Sequence, residues 1–176
     1  MKLRKPLIIT AITLTGLVAS GASPASAGPG DTIATFELLA GSLGVAVAPT
    51  AVWADATSDG QVDQYITGNL GPVTVTDDRG GIAPWEVSAI STTFTHATGP
   101  SSTLVEYMAG TVTTDGTIDV DATVETTLDP IAEASVVSVD SLSGNNTASW
   151  NPTLTVTLPE GALAGEYSGT VTTSIL

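Results

Sequence analysis

The sequence predicts an all-β domain, an antiparallel β-sandwich of Greek-key or Ig-like type with about eight or nine strands. Two patterns carry this prediction. Apolar and polar residues alternate with a period of two, which places one set of side chains on a core and the other in water. Clusters of Gly, Pro, Asn and Asp interrupt the alternation at short intervals, as turns do. Helical periodicity is poor, with room for a single helical turn only at 55–66 and 160–165.

The predicted strands follow the alternating runs in order. The clearest run, 153–158, places leucine and valine on one side and threonine on the other, which suits a pleated and half-buried surface. The complete set of runs lies near 32–39, 43–48, 72–77, 85–90, 103–113, 117–126, 135–139, 153–158 and 166–175.

The first 27 residues have the layout of a secretory signal peptide. Three basic residues lie within 1–5, an apolar stretch covers 7–18, and the small residues Ala25-Ser26-Ala27 supply a cleavage site. The apolar stretch is too short to span roughly 30 Å of hydrocarbon, so we expect cleavage rather than direct membrane insertion. The sequence thus predicts a secreted protein whose mature part, 28–176, is one domain that starts at Gly28.

Charge is the strongest compositional feature of this mature part. Arg79 is its only basic residue and faces 18 carboxylates, a formal charge of −17, against −14 for the whole chain. Without cations to displace counterions, the domain is not expected to bind nucleic acid or anionic lipid. Acidity of this kind keeps an exported domain soluble. A halophilic or divalent-rich habitat would favour the same composition.

The residues needed for catalysis are scarce. The chain has no cysteine and a single histidine, His96, and it contains no nucleophile elbow, zinc-protease motif or phosphate-binding loop. Without a nucleophile and base pair, enzyme activity is not expected, and neither is a cofactor.

Asp115, Asp119 and Asp121 form a weak candidate metal site. Asp119 and Asp121 would point to the same side of a strand, and Asp115 lies in the adjoining turn, where hard cations such as Ca²⁺ find oxygen ligands. The favoured alternative is a solvated strand edge whose charges prevent aggregation. A second weak set comprises Asp55, Asp59 and Asp63.

The segment 72–90 is the most informative of the chain, and it reads as a hairpin. One strand ends in Asp77-Asp78, a Gly-Gly turn follows, and Trp85 opens the return strand. Arg79 lies among acids, where its guanidinium is expected to brace the turn by a bidentate carboxylate contact. A structural role fits Asp77, Asp78, Arg79 and Trp85, and Trp85 above all as a core anchor. The alternative is that these four are the candidate binding residues.

V-T-V-T-D-D-R-G followed by W-E-V-S resembles the signature of the WxL-type cell-surface domains of Gram-positive bacteria. Phe36 to Val47 is similar to that family's opening strand pair, and Pro159 to Ile175 to its closing hairpin. The chain departs from the family at its name motif, with Trp85-Glu86-Val87 for the first Trp-x-Leu and Thr173-Ser174-Ile175 for the second. Valine and isoleucine suit the same core positions.

The resemblance implies a secreted β-sandwich that attaches non-covalently to the cell wall, with peptidoglycan as the usual proposed target. The partner would be a wall polymer or another cell-surface protein, with divalent cations able to bridge carboxylates on the two sides. The alternative function is a structural or matrix subunit of a surface assembly, or a component of an adhesin complex. An unrecognised enzyme or inhibitor is the remote third hypothesis.

Overall fold

The structure is a computed structural model that describes residues 35–57, 64–102 and 104–176. These residues form twelve β-strands and no helix, so none of them belongs to a helix able to cross a membrane. The predicted signal peptide, 1–27, lies outside the described residues. The strands are β1 (Leu43–Val47), β2 (Tyr65–Asn69), β3 (Val73–Asp77), β4 (Glu86–Ser91), β5 (Thr95–His96), β6 (Val105–Met108), β7 (Thr113–Ala122), β8 (Thr126–Leu128), β9 (Ala134–Trp150), β10 (Thr153–Thr157), β11 (Tyr167–Ser168) and β12 (Val171–Ile175).

All strand pairings among the described residues are antiparallel and fall into three sheets. The largest sheet has the order β1-β3-β9-β4-β12, with β7 also paired to β9. A second sheet has the order β2-β10-β6-β8, and a small ribbon joins β5 to β11. The residues from Leu38 onward form one compact unit.

Strand β9 organises the largest sheet. It is 17 residues long, and β7 pairs along one of its sides. The other side is shared, because β3 pairs with 146–150 and β4 with 134–138. Since β3 and β4 are both antiparallel to β9, they run in the same direction, one after the other, along its side.

The hairpin predicted for 72–90 is therefore wrong. Residues 78–85 do not reverse the chain. They form a loop between β3 and β4, which follow one another along the same side of β9, so Trp85 leads into a strand that does not pair with β3. The Gly-Gly pair that suggested a reversal lies in this loop. Gly80 has a φ of +70°, which glycine adopts without strain. Local turn residues could not reveal that β9 supplies a partner for both strands.

A one-residue bulge in β9 keeps its apolar side chains in the core. Asp119 and Val120 of β7 pair with Ser141 and Val139, so Asp140 is left without a partner on that side. In a regular strand every second side chain faces the core, so residue 141 would follow Val139 there. The extra residue shifts this alternation by one, and Leu142 is the next buried side chain.

One hydrophobic core joins the two larger sheets, which confirms the predicted all-β, sandwich-like class. The largest sheet contributes Val75, Val87, Val137 and Trp150, while Tyr107 and other residues of the second sheet complete the core. Fully buried members of the second sheet are Val105, Tyr107, Leu128 and Leu154.

The strands number twelve in the described part, more than the eight or nine predicted, because β2 and β5 lie where no run was predicted and because some predicted runs hold parts of two strands. The run 103–113 contains β6 and the start of β7, and 166–175 divides into β11 and β12, which pair with β5 and β4. The run 32–39 forms no strand over its described part, 35–39. The helical turn expected at 160–165 is absent, since this segment holds a turn and a bend. Of the one expected at 55–66, residues 58–63 lie outside the described residues, and 65–66 belong to β2.

A buried polar contact crosses the core. The indole Nε1 of Trp150 donates to the hydroxyl of Tyr107 at 2.8 Å, and burial raises the pKa of Tyr107 to about 12. We expect Tyr107→Phe to lower the free energy of unfolding by about 1–3 kcal/mol, because the buried indole N–H loses its acceptor. Urea unfolding measures the change. An unaltered midpoint would show that the indole finds another acceptor, and Tyr65→Phe, on an exposed side chain, is the control.

Candidate functional site

The candidate site is the loop 78–85 with the carboxylate that begins it. Asp77 closes strand β3, and its alternation with Val73 and Val75 directs it inward, where it is 1% exposed. Its Oδ1 accepts hydrogen bonds from the backbone N of Arg79 at 3.0 Å and from Nε at 2.9 Å, and its Oδ2 accepts from Nη2 at 3.0 Å. A carboxylate buried this deeply is tolerated because a guanidinium holds it through both oxygens.

Arg79 also spans the loop. Its Nη2 donates to the carbonyl of Ala83 at 2.8 Å, so one side chain ties the beginning of the loop to its end. The guanidinium keeps the pKa of Asp77 below its ordinary value, and the carboxylate raises the pKa of Arg79. The bracing contact expected from the sequence is present in the structure.

Trp85 ends the loop inside the core, where it is 2% exposed. Its carbonyl accepts from the N–H of Val139 on β9 at 3.1 Å, and its indole Nε1 lies 3.5 Å from Oδ1 of Asn146. Asn146 stands opposite Asp77 in the β3–β9 register. Strand β9 therefore positions both ends of the loop.

The four candidate binding residues differ in how much of each side chain is exposed. Asp77 and Trp85 are enclosed and serve the scaffold, so neither presents a surface to a ligand in this structure. Asp78 is exposed, and the Arg79 side chain is 29% exposed. The loop tip adds Ile82, which is 79% exposed. A shallow groove beside the loop is lined by Pro84, Trp85, Glu86, Ser138, Val139 and Leu176.

The Asp77–Arg79 pair predicts an acid-sensitive fold. Because the folded-state pKa of Asp77 lies below its ordinary value of 3.8, its contribution to stability is complete above pH 3.8 and is lost as the pH falls through the folded value. We expect the wild-type free energy of unfolding to fall over this acid range, and the fall to be smaller in Asp77→Asn. Chemical denaturation at pH 6, 4 and 3 measures it, and equal slopes in the two proteins would contradict the assignment.

The acidic residues of β7 do not form the candidate metal site. Asp115, Asp119 and Asp121 are exposed along a strand that pairs only with β9 in the described part. Within 35–57, 64–102 and 104–176, no group of three or more His, Cys, Asp or Glu side chains lies close enough to hold a metal ion. Of the second set, Asp59 and Asp63 lie outside the described residues.

A row of aromatic side chains was missed by the sequence reasoning. Trp53 and Phe94 have ring centroids 6.0 Å apart with planes 23° from parallel, and the rings of His96 and Tyr167 are 5.1 Å apart. Phe94 and His96 are two residues apart in extended chain and so share one side. All four are half-buried. We call this set the aromatic row.

Each ring but that of Tyr167 lies against a glycine. A Cβ on Gly68 would collide with the indole of Trp53, one on Gly165 would collide with Nε2 of His96, and one on Gly169 would lie 2.8 Å from the ring of Phe94. These glycines are distant in sequence from the rings they face. The one hint in the sequence was the spacing of Gly165, Tyr167 and Gly169. The rings that face these two glycines can be identified only once β5 is paired with β11.

Hydrogen bonds to the backbone fix the polar atoms of this row. Trp53 Nε1 donates to the carbonyl of Asn69 at 2.9 Å. The Tyr167 hydroxyl accepts from the N of Leu163 at 3.0 Å and donates to its carbonyl at 3.1 Å. His96 Nδ1 accepts from the N of Thr98 at 3.3 Å. The rings are thus held in set orientations by the main chain.

Comparison with known proteins gave no assignment: no family model matches this chain, and no curated sequence matches it.

Proposed function

We propose that this protein is a secreted, non-catalytic binding module that associates non-covalently with the Gram-positive cell wall, with peptidoglycan as the target. The proposal rests on the WxL-like signature and on one structural observation. The signature residues cover β3, the loop 78–85 and the start of β4. Arg79 braces this loop through Asp77 and Ala83, and Trp85 joins its end to β9. Loops held on a rigid scaffold commonly carry functional residues. The loop 78–85 contains no Ser, Thr, Cys, His or Lys that could act as a nucleophile, which supports binding as its role.

The negative charge of the domain limits the kinds of contact by which it can bind a wall. Gram-positive walls carry anionic polymers, and a domain with one arginine and 18 carboxylates is repelled by them unless salt screens or divalent cations bridge the charges. Screening is substantial at 0.1 M salt, where the Debye length is roughly 10 Å. The productive contact is therefore with uncharged sugar or peptide surface, or is bridged by Ca²⁺ or Mg²⁺.

Co-sedimentation of residues 28–176 with purified Gram-positive walls tests the proposal. We expect retention that rises with added NaCl, CaCl₂ or MgCl₂, and retention on divalent-treated walls that falls with EDTA. Walls stripped of anionic polymers should retain the domain without added salt. Acid-unfolded domain is the control for non-specific adsorption. Binding that salt abolishes, or no retention in any arm, would refute wall association in this form.

The second candidate function is a subunit of a surface assembly, and strand β7 favours it. Within the described part β7 pairs with β9 alone, so a ten-residue edge is open to another strand. The exposed carboxylates Asp119 and Asp121 repel an identical edge, so self-pairing along β7 requires salt or divalent cations that screen these charges. Mass that increases with protein concentration in analytical ultracentrifugation, together with no retention on walls, would favour this function.

A further inference from the structure

We propose that strand β7 is a docking edge, to which a partner protein adds an extended segment that alternates basic and apolar residues. Pairing of this kind extends a sheet through main-chain hydrogen bonds, while the side chains of alternate residues give specificity. The inference does not depend on wall association, because it needs only the folded domain. It also differs from self-assembly along the same strand, since the added segment belongs to a different protein.

The outer edge of β7 is long and regular. In the part of the chain that the structure describes, β7 pairs with β9 alone, so the main-chain N–H and C=O groups along its other side have no strand partner. The two register shifts between these strands are taken up by extra residues of β9, which are Asp140 and the stretch 144–146 opposite Gly116. Residues 117–122 of β7 therefore present an uninterrupted edge to an added strand.

One face of this edge is apolar. The side chains of Ile118, Val120 and Ala122 are half-buried, and all three pack against the hydrophobic core. Their partners across the pairing are buried residues of β9, namely Leu142, Val139 and Val137. Because side chains alternate along a strand, every second residue of an added segment lies beside these three. An apolar residue at those positions covers surface that β7 leaves exposed, so the core continues by one strand.

The other face of the edge carries charge that the described residues do not neutralise. Asp119 and Asp121 are exposed, and their partners on β9 are serines. Arg79 is the only lysine or arginine in 28–176, and its guanidinium is bound to Asp77. A second copy of the chain brings the same carboxylates and no free cation. A basic side chain that pairs with these aspartates must therefore come from another protein, and a lysine or arginine opposite each of them is the favourable cross-strand pair.

Titration of residues 28–176 with the acetylated and amidated peptide T-K-V-K-V-K-T, followed by NMR in the presence of EDTA, tests the docking edge. We expect saturable binding that weakens between 0.01 M and 0.1 M NaCl, because the Debye length falls from roughly 30 Å to roughly 10 Å. Binding should slow amide hydrogen exchange at 117–122 and leave β1, an edge strand without carboxylates, unchanged. The peptide T-K-K-V-V-K-T, which has the same composition without the alternation, should bind at least tenfold more weakly, and T-E-V-E-V-E-T should not bind.

Matched variants separate a contact at β7 from attraction to the acidic domain as a whole. Asp119→Asn combined with Asp121→Asn should weaken binding of the lysine peptide at least tenfold. Glu160→Gln combined with Glu166→Gln removes the same charge from exposed positions outside β7, and its affinity should stay within about twofold of wild type. Asp119→Lys combined with Asp121→Lys should reverse the preference, so that the glutamate peptide binds and the lysine peptide does not.

Four results would each refute the docking edge. They are no binding of the lysine peptide by folded wild-type protein, exchange protection outside β7, equal affinity for the peptide without alternation, and equal affinity of the asparagine and glutamine variants. Circular dichroism shows whether each variant is folded. If the asparagine variant unfolds, exchange protection in the wild-type protein decides between support and refutation. Wall retention is a separate result, since it is expected to rise with salt, whereas peptide binding is expected to fall.

Discussion

Trp85→Ala should lower the free energy of unfolding by about 3–5 kcal/mol, the range for removing a buried tryptophan side chain. The indole is 2% exposed and adjoins Asn146, so alanine leaves a cavity where the loop meets β9. Domains of this size are stabilised by about 5–15 kcal/mol, which makes this a large fraction of the total. Urea unfolding followed by circular dichroism measures it, with Trp85→Phe expected to recover part of the loss.

Tyr65→Ala provides the contrast for this prediction. Its side chain is 61% exposed on β2, and the change should cost within about 0.5 kcal/mol, as most surface substitutions do. Equal losses in the two variants would show that Trp85 contributes no more than a surface aromatic. That result would also remove the argument that the WxL-like tryptophan is a scaffold residue here.

The second large effect is expected from Arg79→Met, which should cost about 3 kcal/mol. The substitution keeps much of the aliphatic length but leaves the Asp77 carboxylate, 1% exposed, without its guanidinium. Breaking a buried pair from one side costs about 3–5 kcal/mol, and the lower end applies because the arginine is 29% exposed. The loop also loses its contact with Ala83.

A double-mutant cycle isolates the pair. Asp77→Asn in the Arg79→Met background should restore part of the lost stability, because the buried group is then neutral. Additive losses would mean that Asp77 and Arg79 act independently, contrary to the three hydrogen bonds between them. Asp78→Asn, one residue away and exposed, is the control and should change stability little.

The fold class followed from the sequence because period-two alternation is a local property. Strands β3 and β10 were located closely for this reason, since each is a short alternating run between turn residues. Pairing is not local. The sequence around Gly80 indicates a turn, but whether the chain reverses there depends on β9, about 60 residues later.

The candidate site divides in the same way. A bracing contact of Arg79 with a nearby carboxylate was predictable because this cation lies among acids, but only the structure identifies Asp77 as the partner. Asp77 is buried because it lies on the inward side of β3 with Val73 and Val75. Its polar neighbours in the sequence did not indicate this burial. The aromatic row depends on Gly68 and Gly169 lying against rings far away in sequence, so the local spacing of Gly165, Tyr167 and Gly169 could not identify those rings.

The central position of β9 has a consequence for the order of folding. Strands β3 and β4 both pair with β9, which begins at Ala134. In a chain synthesised from its N-terminus, these two strands are therefore made long before the strand with which they pair. Such long-range contacts raise the contact order and place folding in the slow, millisecond-to-second regime of β-proteins. Until β9 emerges, the valines of β3 and β4 have no complete core to enter and remain open to misassociation.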